Sequence, residues 1–252
     1  MSPISEPHAN KELFLDRIRR ALGRDEPLEH TPDYPALKNS LPRQQEKVRT
    51  INAKVEARRD TLVAKLAETA TAGSWHVHMV QSNDDAAAVV AEIAVTAGAK
   101  HIIRSAEEIF RKVNIDRALR SRGLAPTVLA SGRSRKRSDL PSLAFRSDMG
   151  VTGVSYAIAE TASCAVIQRK GVARLASLAP AVLALIVESS QVLESLDDFF
   201  AITRLSAMQP RGRIAPYFNF ISGPSRTADI EQTLTIGVHG PGEVHMVIVS
   251  ES

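Results

Sequence analysis

Residues 75–104 read WHVHMVQSNDDAAAVVAEIAVTAGAKHIIR, and the fold follows from their change of rhythm. Trp75 to Val80 has the β-branched and aromatic content of a strand. Asn83 or Asp84 can cap the helix that follows, which carries Val90, Ile93 and Ala97 and stops at Gly98. His101 to Arg104 is a second strand. Ser105 and Glu108 have capping-box spacing for a further helix ending near Gly123, and Thr127 to Ala130 follows Pro126 as a third strand. Strand, helix, strand, helix, strand with short connections predicts a parallel sheet with right-handed crossovers.

Downstream, Tyr156 to Gln168 is predicted as a strand or tight strand pair, and Leu183 to Val187 as a buried strand. Ser195 with Asp198 opens a helix bearing Leu196, Phe199, Phe200 and Thr203. Tyr217 to Ile221 is a strand, Arg226 to Thr235 a helix and Val244 to Val249 the last strand. The sum is about seven strands with interleaved helices, a three-layer α/β sandwich with a mostly parallel sheet, whose strand ends are where ligands sit.

Upstream, Asn10 to Leu22 is an amphipathic helix with Leu13, Ile18 and Leu22 as apolar contacts and Gly23 as its stop. Prolines at 27, 32, 35 and 42 mark a loop or extended arm, and Arg43 to Ala70 is a long polar helix with Val48, Ile51, Val55, Leu62 and Leu66 on one face. The expected division is an N-terminal helical arm over 1–72 and an α/β domain over 73–252. The arm would dock partners or a second copy, making a homo-oligomer.

The 252 residues are 44% hydrophobic but only 4% aromatic, so the core is aliphatic and the stacking platforms of single-strand nucleic-acid binders are disfavoured. A net charge of +4 suits anionic ligands without demanding them. Basic clusters at Arg133–Arg137 and Arg169–Arg174 are either loops and turns or anion contacts. The single cysteine, Cys164, excludes an internal disulfide and an iron–sulfur cluster held by this chain alone, which needs about four thiolates. It fits a reducing compartment. The charged start lacks a signal-peptide core, and the longest apolar run, Leu178 to Val187, is too short to span a bilayer. A cytoplasmic location is expected.

The chemistry-bearing residues fall in the second half. Glu160, placed on a strand, would share a face with Ile158, Ala162, Cys164 and Val166; it is either a catalytic carboxylate with a raised pKa or a structural one bonded to backbone amides. In SGPSRTADIEQ, residues 222–232, Ser222, Gly223, Ser225, Arg226 and Thr227 present hydroxyls, amides and a guanidinium where the helix would begin, as an anion cradle or as its cap. Asp229 and Glu231 cannot both face one ligand from a regular helix. His239, between Gly237 and Gly240, is an acid–base group or a turn residue. His76 and His78 share a strand face, but no third metal ligand is evident nearby, and no metal site is assigned.

GVTGVSYAIAETAS at 150–163 and SGPSRTADIEQTLTIGVHGPGEVHMVIV at 222–249 resemble the LUD-domain family, and within it the lactate utilisation protein C group. Val154-Ser155 stands where that family usually has Ala-Asp, and Ala162-Ser163 where it usually has Gly-Thr. The resemblance implies a NagB/RpiA/CoA transferase-like fold and a role in oxidising L-lactate to pyruvate with iron–sulfur partner proteins. It also implies site positions at Thr152, Tyr156, Glu160, Thr161, Ser222, Gly223, Ser225, Thr227, Asp229, Glu231, His239 and Gly240. On this reading the chain is a non-redox subunit that binds a small organic acid or anionic ligand, with Glu160 and His239 as the catalytic candidates and no cofactor held through cysteine. The alternative is a stand-alone acyl-transfer, phospho-transfer or isomerase-type enzyme using Glu160 and the anion-binding loop.

Overall fold

The structure, a computed structural model, describes residues 7–23, 39–130, 136–167, 174–209, 217–228 and 234–250. The chain divides into two compact units, Met1–Ser40 and Leu41–Ser252. In the first, helix α1 (Pro7–Ala21) ends on Gly23 in the left-handed region, and its Leu13, Phe14, Ile18 and Leu22 are exposed.

The second unit opens with α2 (Leu41–Ala57) and α3 (Arg59–Ala72), so the predicted long helix breaks at Arg58. Both helices bury their apolar faces in the main core, through Val48, Ile51, Val55, Leu62 and Leu66. The boundary between compact units therefore falls after Ser40 and not at the expected 72, because these stripes have no burial outside the α/β body. Gln44, itself buried, fixes α2 by donating from Nε2 to the Ala201 carbonyl at 2.8 Å.

Then come β1 (His76–Val80), α4 (Asn83–Thr96), β2 (Ile102–Arg104), α5 (Ile109–Lys112), α6 (Ile115–Ser121) and β3 (Pro126–Val128). α7 (Leu140–Phe145), β4 (Met149–Gly153), the hairpin β5 (Tyr156–Ile158) and β6 (Ser163–Ile167), α8 (Leu175–Leu178), β7 (Val182–Glu188) and β8 (Val192–Leu193) follow. The described chain closes with α9 (Leu196–Met208), β9 (Phe218–Ile221), β10 (Arg226–Ala228), β11 (Leu234–Ile236) and β12 (Glu243–Val249).

Six strands form one parallel sheet in the order β1-β12-β7-β4-β2-β3. As expected of a parallel sheet, its inner strands are apolar on both faces. Val80, Val247, Ile186 and Val151 pack with α4 and α6; Leu183, Leu185, Met246 and Ile248 pack with α2, α3, α9 and a second sheet. That second sheet, β8-β5-β6-β9, was not foreseen as a separate layer. Gly150 in β4 lets α8 approach: a Cβ there would lie 2.0 Å from the Ala176 carbonyl oxygen. Among the described residues there are twelve strands, and no helix is long and apolar enough to cross a membrane.

Two predicted features are corrected. The stretch expected as a helix from Arg226 to Thr235 supplies β10 and β11, an antiparallel pair in which Thr227 faces Thr235. Ser105 does not cap a helix; it is fully buried, and α5 begins after Glu108 with no side-chain cap.

His76, His78 and His245 stack on one face of β1 and β12. Glu243 accepts from His245 Nε2 at 2.8 Å, which leaves His245 Nδ1 as acceptor for His78 Nε2 at 3.1 Å. Burial, then the neighbouring His245 and His76, hold His78 below its ordinary 6.5. Burial also lowers His245, outweighing the hydrogen bond it donates to Glu243, which raises it. Among the described residues no group of three or more His, Cys, Asp or Glu side chains is arranged to hold a metal ion.

Both rings bind a proton less tightly folded than unfolded, so acidification favours the unfolded chain. Urea denaturation will show stability falling as pH drops below about 6.5 and levelling once the folded rings are charged. His78→Gln will flatten that slope; an unchanged slope would mean the stack is not its source.

Ala162, in the β5–β6 turn, has φ +50°, a left-handed conformation costly for a residue with a Cβ. Glycine, usual here in the family the sequence resembles, avoids that cost. Ala162→Gly will stabilise the fold by about 1 kcal/mol in urea titrations; a lower midpoint would contradict a strained turn.

Candidate functional site

The connections of the six-stranded sheet leave β2 and β4 in opposite directions, from β2 outward to β3 and from β4 through β7 and β12 toward β1. Such a reversal opens a crevice at the carboxyl ends of the two strands. A cavity of about 420 Å³ lies there. Its walls are Ala106 to Ile109 and Lys112 after β2, Gly153 to Ser155 after β4, and Ile167, Glu188 and Gln191.

Glu107 is the most tightly held carboxylate in this wall. Its Oε2 accepts from the Gly153 amide at 2.5 Å, the Ser105 hydroxyl at 2.6 Å and the Thr152 hydroxyl at 2.8 Å. Ser105 is 0% exposed and Thr152 2%; the Ser105 hydroxyl relies on that carboxylate, while the Thr152 hydroxyl also reaches Ser105 Oγ at 3.1 Å and the Gly153 carbonyl at 3.2 Å. Upstream, Arg104 fixes the path of the segment. Its guanidinium forks onto Asp116 at 2.7 and 3.0 Å and donates to the Ser105 carbonyl. Gln191 ties the far wall together, donating to the Val154 carbonyl at 2.8 Å and accepting from the Glu188 amide at 2.9 Å.

Lys112 pairs with Glu188 at 2.5 Å, and both also line a second cavity of about 410 Å³ over the ends of β1 and β12. Among the described residues, the lining of the first cavity sets Glu107, Glu108 and Glu188 beside the Lys112 ammonium group, a balance that favours hydroxyl-bearing or cationic ligand groups.

Of the sequence-predicted residues, Thr152 forms this cleft's wall through Glu107, and Ser155, where the resembled family usually has aspartate, lines it while its Oγ accepts from the Ile167 amide at 3.1 Å. Glu160 is elsewhere and not buried. It lies in the exposed β5–β6 turn, and its Oε1 accepts from the Leu196 amide at 2.8 Å, at the start of α9. The apolar strand face expected for it does not exist, because β5 ends at Ile158. Tyr156 packs edge-on against Phe199.

The remaining candidates gather at the other end of the sheet. Thr161 donates to Ser163 at 2.9 Å, and Ser163 meets Ser222 at 2.6 Å. Ser225 accepts from the amides of Gly237 and His239 through its carbonyl and hydroxyl, and its own amide donates to the Pro241 carbonyl. Gly240 packs against the Ser225 side chain, and the His239 ring is exposed. Arg226 bonds the Ser74 hydroxyl. Asp229, Glu231 and most of the basic clusters at 133–137 and 169–174 lie outside the described residues. His239 adjoins the Ser222–Ser225 loop through its amide, Glu160 is held at the start of α9, and neither lines the cavities above. Cys164 is fully buried, its thiol pushed up to about 12 by burial.

Glu107 was missed because nothing local marks it; its importance comes from Thr152 and Gly153, 45 and 46 residues away.

A family model described as the LUD domain matches residues 63–249. The chain belongs to the LUD-domain family. The LUD domain begins within α3 and ends with the last residue of β12, so it takes in both the cleft and the Ser222–Ser225 loop. Among curated relatives, lactate utilization protein C of Shouchella clausii is 29% identical over 96% of this chain and 98% of its own length, and that of Bacillus pumilus 25% over the same shares. Lactate utilization protein C of Bacillus subtilis is 31% identical over 43% of this chain and 45% of its own length. A DUF162 family protein from Deinococcus radiodurans has a similar fold, with a TM-score of 0.51 at 18% identity over 76% of this chain and 98% of that one.

Glu107→Ala leaves the buried Ser105 hydroxyl and the Gly153 amide without their acceptor. It will destabilise the LUD domain by about 1–3 kcal/mol in urea titrations, and Glu107→Gln by less. No measurable change for Glu107→Ala would show that these donors find other partners.

Proposed function

We propose that this chain is the non-redox subunit of an L-lactate-oxidising system, working in the cytoplasm with iron–sulfur partner proteins. The observation that carries the reading is similarity over nearly the whole chain to proteins named lactate utilization protein C. One cysteine, buried and with a thiol pushed up to about 12, offers no thiolate set for a cluster. Electron transfer then belongs to the partners, and this chain's part is to bind and orient. Thr152, with Glu107 and Lys112, would serve a ligand in the cleft; Thr161, Ser222, Gly223, Ser225, Arg226, Thr227, His239 and Gly240 would serve an organic acid or other anion at the opposite end.

A stand-alone acyl-transfer, phospho-transfer or isomerase-type enzyme is the second reading. The cavity at the strand reversal supports it, with a carboxylate fixed in its wall. In that case Glu107, not Glu160, is the residue whose amide variant abolishes turnover.

Deleting the gene will abolish growth on L-lactate. The wild-type chain and Cys164→Ala will restore it equally, and the tagged chain will co-purify with cysteine-rich proteins from lactate-grown cells. Lactate oxidation by the purified chain alone, or a folded Cys164→Ala chain that fails to restore growth, would overturn the non-redox assignment.

A further inference from the structure

We propose that the Ser222–Ser225 loop and the α3–β1 corner beneath it form a binding subsite for a small oxyanion, a carboxylate or phosphate, with the indole N–H of Trp75 as its innermost donor. It rests on the anion reading given above for this loop, not on the lactate role, and adds the buried indole to it.

Trp75 is 4% exposed, and its Nε1 has no hydrogen-bond partner among the described residues. Thr69 Oγ1, from the last turn of α3, is buried and equally without a partner. A buried polar group in this condition is costly, so a fold that keeps both Thr69 and Trp75 this way calls for an explanation. The corner is also where the loop comes closest. Gly223 has φ +133°, and a Cβ on it would lie 3.0 Å from the Gly73 carbonyl oxygen and 3.8 Å from Trp75 Nε1. The backbone angle and the approach to the Gly73 carbonyl call for glycine, and they bring the loop into contact range of the indole edge.

The groups around this point are mostly donors. Ser222 is exposed to solvent and is the end of the hydroxyl run from Thr161 through Ser163. The Arg226 guanidinium is held at the same corner by Ser74, next to Trp75 in the chain. Indole and guanidinium have no acceptor, and each hydroxyl can turn its hydrogen toward an incoming oxygen. The Arg226 guanidinium disfavours a cation here, whereas a carboxylate or phosphate oxygen meets an opposite charge and N–H and O–H donors. The anion cradle expected at a helix start is thus rebuilt without a helix, from a loop, a strand end and a buried indole.

Trp75 is the chain's single tryptophan, so its emission reports this corner alone. The full chain is titrated with L-lactate, acetate and inorganic phosphate at constant ionic strength, with chloride as control. A saturable emission change with at least one of the three is expected. It will weaken roughly tenfold in Ser222→Ala and in Arg226→Gln, both exposed positions, with thermal unfolding confirming the fold of each. Saturation by phosphate but not carboxylates would keep the subsite and name its ligand, leaving the growth experiment to judge the lactate role. Flat titrations with all three anions, or a response unchanged in both variants, would overturn the proposal.

Discussion

β12 is the strand on which the rest of the molecule depends. It lies between β1 and β7, pairing with each in parallel, and among the described residues β1 has no other partner in the sheet. The element nearest the described C-terminus therefore joins the first strand to the body. It brings His245 against His78, and it carries the distinctive stretch before it, Ser222 to Pro241, to the end of the sheet where β1 begins. The Ser225–Pro241 and Gly242–Ala181 backbone hydrogen bonds fasten that placement.

The same geometry separates two kinds of chemistry. At the carboxyl ends, the crevice between the β2 and β4 connections is rich in carboxylate. At the opposite end, the loop over Trp75 is rich in N–H and O–H donors. Thr152 and His239 both fall in the second half of the chain and in one family pattern, yet parallel strands separate them. Thr152 stands at the end of its strand, whereas His239 precedes the start of its own, so neighbours in a motif list face opposite edges of the sheet.

Much of the α/β frame was legible because strand and helix periodicities are local. Ser82 rather than Asn83 accepts the capping bond of α4, from Asp85, a one-residue difference; Ser195 caps α9 as its spacing with Asp198 predicted. What failed was decided at a distance. The segment starting at Arg226 has the polar start of a helix, yet ladder bonds with 234–236 make it a strand. Ser105 and Glu108 have capping-box spacing, but the Ser105 hydroxyl is claimed by Glu107 in a pocket completed by β4. Glu160 looked buried because alternation was carried past the end of β5, where the chain has already turned. In each case a tertiary partner outweighed a valid local preference.

The ion pair of Lys112 with Glu188 forms part of the wall of both carboxyl-end cavities. The two chambers therefore share one charged pair, and neither wall can be changed at Lys112 or Glu188 without changing the other.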